Sequence, residues 1–225
     1  MLQQTLRSVL VSVLVFGFSS ICSAAFAQGD MQGQVVSAMG STMCHTKADL
    51  GLRLDMRKLW EDHIEYTRNY IISALADLED VNNVAGRLLK NQDDIGDAIK
   101  PYYGEDAGKQ LAVLLRDHIL IATEVVKAAK MGNDEDLDLA SKKWYANGDD
   151  IANFLSGANP NWLKKDLTDM LNKHLELTTG EVVSRLKKDW AADIDSYDKG
   201  HVHMLMFADM LTDGIVKQFP DKFKE

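Results

Sequence analysis

Residues 111–125 read LAVLLRDHILIATEV, and this stretch decides the fold of the chain. Its apolar side chains recur at intervals of three and four residues, which is the period of an α-helix and not of a strand. One face of the predicted helix carries Leu111, Leu114, Leu115, His118, Ala122 and Val125. The histidine therefore lies in the middle of an apolar stripe.

The same helical spacing continues over residues 52–219, without any alternating strand pattern. Glycine and proline divide this region, and the Asn159-Pro160 pair marks one helix start. We predict six helices, at 52–78, 81–100, 105–131, 134–156, 160–188 and 190–219. The sequence thus predicts an all-α, single-domain bundle over 51–225.

Composition limits the class of protein. The chain has 225 residues, of which 46% are hydrophobic and 26% charged, with 3 prolines. This is enough to bury one sizeable core, and it excludes a disordered, collagen-like or disulfide-scaffold protein. The 25 basic and 34 acidic residues give a net charge of −9. That balance argues against nucleic acid or an anionic membrane as the main partner.

The N-terminus has the pattern of an export signal. Within 1–27, Arg7 is the only charge, an apolar run occupies 9–18, and 25–27 read AFA, a small-x-small cleavage site. We predict that the signal is removed, that 28–50 form a flexible leader, and that the protein is periplasmic or extracellular. A retained N-terminal anchor helix is the alternative, and no later segment is expected to span a membrane.

The two cysteines have different predicted fates. Cys22 leaves with the signal peptide, unless it is acylated as in a lipoprotein. Cys44 then has no intramolecular partner in an oxidising compartment, so it stays free or forms a disulfide between chains. With Met43 and His45 it could also form a soft metal-ligand triplet, but it lies in the predicted leader.

The chain repeats at intervals of about 55 residues. The repeated positions are Asp62-His63-Ile64, Asp117-His118-Ile119 and Lys173-His174-Leu175, and then Thr67, Ala122 and Thr178. The following helix of each unit carries Asn91 with Asp94, Asn147 with Asp150, or His203, at 28, 29 and 29 residues from the histidine. This predicts three αα-hairpins sharing one core. The alternative is six unrelated helices of similar composition.

The repeat predicts a polar cluster inside the bundle. Buried carboxylates need a partner or a cation, and imidazole suits transition metals. The candidate metal ligands are His63, His118, His174, Asp94, Asp150 and His203. The candidate surrounding residues are Asn91, Asn147, Thr67, Thr178 and Tyr66. The leading hypothesis is therefore a binding protein for one ion of Zn, Fe or Cu, or for a small ligand.

Two other functions stay open for the same residues. The cluster could serve a metal-dependent hydrolase or oxidase, which needs an open coordination position. It could instead be a structural hydrogen-bond network, with Asp or Asn and the hydroxyls of Thr67 and Thr178 orienting the imidazoles. Which histidine of the last helix faces inward is also open, because His201 and His203 lie about 200° apart.

Three strings, at 52–63, 91–99 and 203–210, resemble a family of uncharacterised bacterial all-helical proteins. The resemblance covers about 52–220. It implies no established activity, although members often carry the label glycosyltransferase. Nucleotide-sugar transferases of the usual kinds need α/β domains, and this sequence predicts no strand. We therefore do not adopt that label.

Overall fold

The structure is a computed structural model that describes residues 46–224. The predicted signal peptide, both cysteines and residues 28–45 of the predicted leader lie outside these residues. The predictions of export, of acylation at Cys22 and of disulfide formation at Cys44 therefore stay predictions.

Six α-helices and one short 3-10 helix form the described part of the chain. They are α1 (Lys47–Leu75), α2 (Val81–Tyr103), α3 (Glu105–Met131), α4 (Asp134–Ala158), α5 (Lys164–Leu186), α6 (Trp190–Gln218) and the 3-10 helix Pro220–Phe223. Residues 46–224 contain no strand, so the all-α prediction is confirmed. None of the helices described has the length and hydropathy of a membrane span.

Helix α1 begins earlier than its sequence pattern predicts. The Thr46 side chain accepts a hydrogen bond of 3.1 Å from the backbone N–H of Asp49, which caps the first turn. Residues 47–50, predicted as part of the leader, consequently belong to α1. The cap was missed because these residues lack the apolar periodicity of the helix that follows.

Helix α2 passes through Pro101, where we predicted its end. Pro101 lies in the last turn of α2, where its missing N–H removes only one helical hydrogen bond. The helix ends instead at Gly104, which has φ +87° and leads directly into α3.

Helix α5 begins at Lys164, four residues after Pro160. The intervening residues form a turn because the Asn159 side chain accepts from the backbone N–H of Asn161 at 2.8 Å. The backbone carbonyl of Asn159 accepts a hydrogen bond of 3.0 Å from the backbone N–H of Trp162. The predicted start at Asn159-Pro160 was therefore a turn signal and not a helix cap.

The six helices form a closed ring. Each packs against its neighbours in the chain, and α6 packs against α1. The odd-numbered helices α1, α3 and α5 also contact one another across the interior. Side chains on their inward faces consequently meet inside the bundle.

The core has one large and two small clusters. The large cluster includes Met56, Ile95, Leu155 and Phe207. One small cluster joins Ile71, Val126 and Val182, one from each odd helix. The candidate site lies beside this small cluster.

Candidate functional site

Three buried histidines, one from each odd helix, meet in the interior. His63, His118 and His174 are only 2%, 3% and 3% exposed. The ring centroid of His174 lies 5.5 Å from that of His63 and 6.1 Å from that of His118. The structure thus brings together the three imidazoles that the repeat singled out.

These histidines line a cavity of about 60 Å³, which we call the histidine pocket. Much of its wall consists of matched positions on α1, α3 and α5. They are His63, His118 and His174, then Thr67, Ala122 and Thr178, then Ile71, Val126 and Val182. Thr179 and Val183 of α5 also line it, and both residues are exposed at the surface. No Asp, Glu, Lys or Arg side chain is among its lining residues.

The hydrogen bonds of Asn147 fix the tautomer of His118. The Asn147 amide nitrogen donates to the carbonyl of Leu114 at 3.1 Å. Its amide oxygen lies 2.7 Å from His118 Nδ1 and must accept from it. A neutral His118 ring therefore carries its proton on Nδ1 and a lone pair on Nε2.

The other two histidines differ from His118. The Nδ1 atoms of His63 and His174 are buried and lack a hydrogen bond of good geometry within residues 46–224, although Gln92 interacts with the His63 ring and raises its pKa. The same is true of Nε1 of Trp144, whose ring lies 5.3 Å from that of His118. Leaving such a polar atom unpaired in a core costs about 1–3 kcal/mol.

All three imidazoles are neutral at neutral pH. Burial, together with the nearby His118, lowers the pKa of His63 to about 3 against the raising effect of a hydrogen bond with Gln92. Burial lowers the pKa of His118 to about 4, against the smaller raising effect of Asn147. Burial also holds the pKa of His174 well below its usual value, with the other histidines adding to the effect. Neutral imidazoles can bind a metal ion or a neutral ligand but supply no charge to an anion.

Equivalent side chains on the even-numbered helices α2, α4 and α6 contact backbone carbonyls of the odd-numbered helices α1, α3 and α5. Asn91 donates to the carbonyl of Leu59 at 2.9 Å, and Asn147 does so to Leu114. His203 Nε2 lies 2.8 Å from the carbonyl of Met170. Each carbonyl belongs to the residue four positions before the pocket histidine of its hairpin. His203 is thus the inward histidine of α6, while His201 faces Glu61 at the surface.

The network hypothesis expected the hydroxyls of Thr67 and Thr178 to orient the imidazoles, and they do not. The hydroxyl of Thr67 donates to the backbone carbonyl of His63 at 2.7 Å, and that of Thr178 to the carbonyl of His174 at 2.9 Å. Both hydroxyls bond one turn back along their own helix. Their oxygens still line the pocket.

Six predicted site residues are not among those that line the pocket: Asn91, Asn147 and His203, which bond to backbone carbonyls, and Asp94, Asp150 and Tyr66. Asp94 is only half-buried and pairs with Lys90, and Asp150 is exposed. Each carboxylate is rotated about 60° around its helix from the buried asparagine three residues before it. Tyr66 packs under the guanidinium of Arg87, 4.5 Å from its ring centroid. The expectation that these carboxylates face inward was wrong.

Within residues 46–224, no group of three or more His, Cys, Asp or Glu side chains is placed to hold a metal ion. Of the predicted ligands, His63 and His174 keep an unpartnered ring nitrogen. His118, with its lone pair on Nε2, is the third pocket histidine with a nitrogen available to a metal ion.

A buried ion network beside the pocket was missed at the sequence level. Arg68 on α1 binds Glu181 on α5 at 2.6 Å and Asp193 on α6 at 3.0 Å. Arg185 binds the same Asp193 at 2.8 Å. Burial raises the pKa of Glu181 to about 7 despite the opposing effect of Arg68. Nothing in the spacing of these residues indicates that they meet, because their helices are adjacent only in the folded chain.

The apolar wall of the pocket was also missed, although a signal for it exists. Ile71, Val126 and Val182 each lie eight residues after a pocket histidine, so extending the repeat by two turns would have found them.

No family model, curated protein or solved structure matches the chain. The fold and the pocket define residues 46–224 as a six-helix all-α domain with an interior histidine pocket.

Proposed function

We propose that this is a binding protein that holds a small molecule in the histidine pocket. The observation that carries the proposal is a cavity of about 60 Å³ lined by three buried histidines and by mostly apolar side chains from α1, α3 and α5. Small-molecule sites in proteins are concave and mostly apolar, with a small number of polar groups. The matched lining positions support the threefold hairpin repeat as part of this proposal.

Binding should fill the pocket and nothing else. Xenon is a suitable first probe because it enters apolar cavities of this kind. In the purified protein under xenon pressure, we expect the NMR signals of the methyl groups of Ile71, Val126 and Val182 to shift. Those of the exposed Val202 should not shift.

A filled-pocket variant gives the control. Ala122→Leu places a larger side chain in the pocket wall and should abolish the xenon shifts. The matched variant Ala191→Leu, at an exposed position of α6, should keep them. Folded wild-type protein that shows no methyl shifts would refute a binding pocket and favour a purely structural bundle.

A metal ion is the second candidate ligand, favoured by the neutral state and free Nδ1 atoms of His63 and His174. Two imidazoles can bind Cu(I), which accepts low coordination numbers and nitrogen ligands. Equilibrium dialysis against Cu(I) or Zn(II) should then leave about one ion per chain. His63→Leu with His174→Leu should remove it, and the surface variant His201→Leu should not.

Export of the protein is part of the proposal and rests on residues 1–27 alone. In that setting the ligand would be met outside the cytoplasm. Cys44 would be available there for a disulfide between chains.

A further inference from the structure

We infer that the histidine pocket takes a short aliphatic hydrocarbon chain, either as a free molecule or as the end of a larger amphiphile. This inference deepens the proposed function and rests on it. It follows from the chemistry of the cavity wall, from the charges around it, and from the volume and shape of the cavity.

The wall of the pocket is almost entirely apolar. The surface that its lining residues present to the cavity is nearly all carbon. The hydroxyls of Thr67 and Thr178 already donate to backbone carbonyls, and Nδ1 of His118 is paired as well. The Nδ1 atoms of His63 and His174 are themselves buried. A polar group in the cavity would therefore lose its hydrogen bonds to water without replacing them, which is unfavourable.

The pocket also offers nothing to a charged group. Among the described residues that line it, the histidines are the only titratable groups besides Tyr70, and burial keeps them neutral. The charges of the nearby ion network are paired with one another, in the set Arg68, Arg185, Glu181 and Asp193. A charged group in the cavity would lose its hydration without gaining a counter-ion. The part of the ligand inside the pocket is therefore an uncharged hydrocarbon.

The volume of the cavity limits the size of this hydrocarbon. A dry cavity of about 150 Å³ holds benzene, whereas the histidine pocket has a volume of about 60 Å³. A six-membered ring consequently does not fit, and the space suits about three or four carbon atoms.

The shape of the cavity favours a chain. It is lined by three matched layers of side chains that follow one another along α1, α3 and α5, and the last layer is Ile71, Val126 and Val182. Successive layers lie four residues apart, which is about 6 Å along a helix. A cavity of this volume that touches all three layers is narrow. Its aliphatic layer provides the contacts that an alkyl chain needs.

The first test compares propane with ethanol, which has the same number of non-hydrogen atoms. Each is dissolved in a solution of the purified protein, and the methyl signals of Ile71, Val126 and Val182 are followed by NMR. Propane should bind at least about tenfold more tightly than ethanol, because ethanol buries an unpaired hydroxyl group. Propane should also bind about fourfold more tightly than ethane, which is the effect of one methylene group. Benzene should cause no shift.

A further probe distinguishes the two sources of the chain. Butanoate carries a propyl group on a carboxylate. Methyl shifts with butanoate as well as propane support the end of an amphiphile whose head group stays in water. Shifts with propane alone support a free hydrocarbon.

An enlarged pocket tests the size limit. Ile71→Ala removes three carbon atoms from the aliphatic layer and should allow benzene to bind, as engineered apolar cavities do. The matched surface variant Val202→Ala should still exclude benzene. If Ile71→Ala does not fold, Val182→Ala enlarges the same layer by two carbon atoms and should shift the preferred alkane to a longer chain.

The double variant His63→Leu with His174→Leu separates the hydrocarbon from a metal ion. It should bind propane within about threefold of the wild type, because the contacts of the chain are apolar. Binding of a metal ion through these imidazoles should be lost. Loss of propane binding in a double variant that still binds xenon would show that the imidazoles hold the ligand, which overturns the inference.

The remaining outcomes separate this inference from the proposed function. Wild-type protein that binds xenon or a metal ion but not propane overturns the hydrocarbon chain and leaves a binding pocket. Ethanol or benzene bound as tightly as propane also overturns it. A protein that binds neither xenon, nor a metal ion, nor any of these probes overturns both proposals.

Discussion

Two ring nitrogens, Nδ1 of His63 and of His174, distinguish this interior from an ordinary helical core. Within residues 46–224 each is buried without a hydrogen bond of good geometry, whereas His118 pairs with Asn147 at 2.7 Å. Replacing either histidine by an apolar residue would remove an unpaired polar atom, which makes a purely structural use of these rings hard to explain. At the scale of single residues, we therefore propose that these rings serve binding.

The buried histidines should make the protein sensitive to acid. A group whose pKa is lowered on folding stabilises the native state above its unfolded pKa, and that stability is lost as the pH falls toward the folded value. For His63 the window runs from about 6.5 down to about 3. His63→Leu should therefore reduce the pH dependence of the free energy of unfolding, measured with urea, by about 1.4 kcal/mol per pH unit between pH 4 and 6.

The same urea-unfolding experiment has a reference range at higher pH, where His63 does not titrate. Between pH 7 and 9 the imidazole is neutral in both the folded and the unfolded chain, so the two proteins should differ by a constant amount. Parallel stability curves down to pH 4 would mean that His63 is not buried in a neutral state.

Glu181 should change the free energy of unfolding with pH in the direction opposite to that of His63. Its pKa is raised to about 7 from an ordinary value of 4.5. The stability that it contributes is fully present below pH 4.5 and is lost as the pH rises through about 7. Glu181→Gln should remove up to roughly 3 kcal/mol of this loss between pH 5 and 8, as seen in urea unfolding. An unchanged pH dependence in the variant would show that Arg68 keeps Glu181 ionised throughout.

Single residues also show what a sequence can predict about a site. His63, His118 and His174 could be predicted because the repeat places them on equivalent apolar faces. Asp94 and Asp150 were predicted wrongly, since a rotation of about 60° around a helix separates a buried position from one at its edge. The partner chosen by a hydroxyl, as at Thr67, depends on local geometry that spacing does not fix.

At the scale of helices, Asp193 joins three elements, since it lies on α6 and binds Arg68 of α1 and Arg185 of α5. Asp193→Ala should destabilise the protein by about 3–5 kcal/mol in thermal or urea unfolding, because it leaves buried cations without their partner. The matched variant Asp195→Ala removes an exposed partner of Lys199 and should change stability by less than about 0.5 kcal/mol. Similar losses for both would show that the network does not hold the helices together.

Helix α6 approaches the turn before α5 so closely that only glycine fits at position 214. A Cβ atom there would lie 1.9 Å from Nε1 of Trp162, which is itself 2% exposed. Gly214→Ala should push the indole out of its site, costing about 1–3 kcal/mol and changing the tryptophan fluorescence.

Gly157 provides the comparison for this substitution. It lies in α4 with open space around it, so Gly157→Ala should stabilise the protein by about 0.5–1 kcal/mol. Stabilisation of both glycine variants would contradict the claim that Trp162 packs closely against α6 at Gly214.

The sequence predicted the presence of each helix more accurately than it predicted the first and last residues. The stripe over 111–125 was sufficient to predict α3 with its observed bounds, since Gly104 and Gly132 flank it. Pro101 and Pro160 misled the prediction in opposite ways. One is tolerated in the last turn of α2, and the other lies in a turn held by the side chain of Asn159. Both outcomes depend on hydrogen bonds that residue identity alone does not determine.

At the scale of the whole molecule, the ring of six helices explains why one pocket forms. The odd helices meet in the interior, so three equivalent faces converge on one space. His63, His118 and His174 close part of that space with polar rings, and Ile71, Val126 and Val182 supply an apolar part. The proposed repeat of about 55 residues predicted that the three histidines converge. It could not predict the cavity, because a void depends on how all the surrounding side chains pack.

A crystal structure of the protein under xenon pressure tests the central claim most directly. We predict one xenon atom in the histidine pocket, in contact with the matched side chains Ile71, Val126 and Val182, with His63 and His174 adjacent. A pocket closed by side chains, or filled by ordered water molecules that pair with both Nδ1 atoms and exclude xenon, would contradict the claim that this interior is built to hold a ligand.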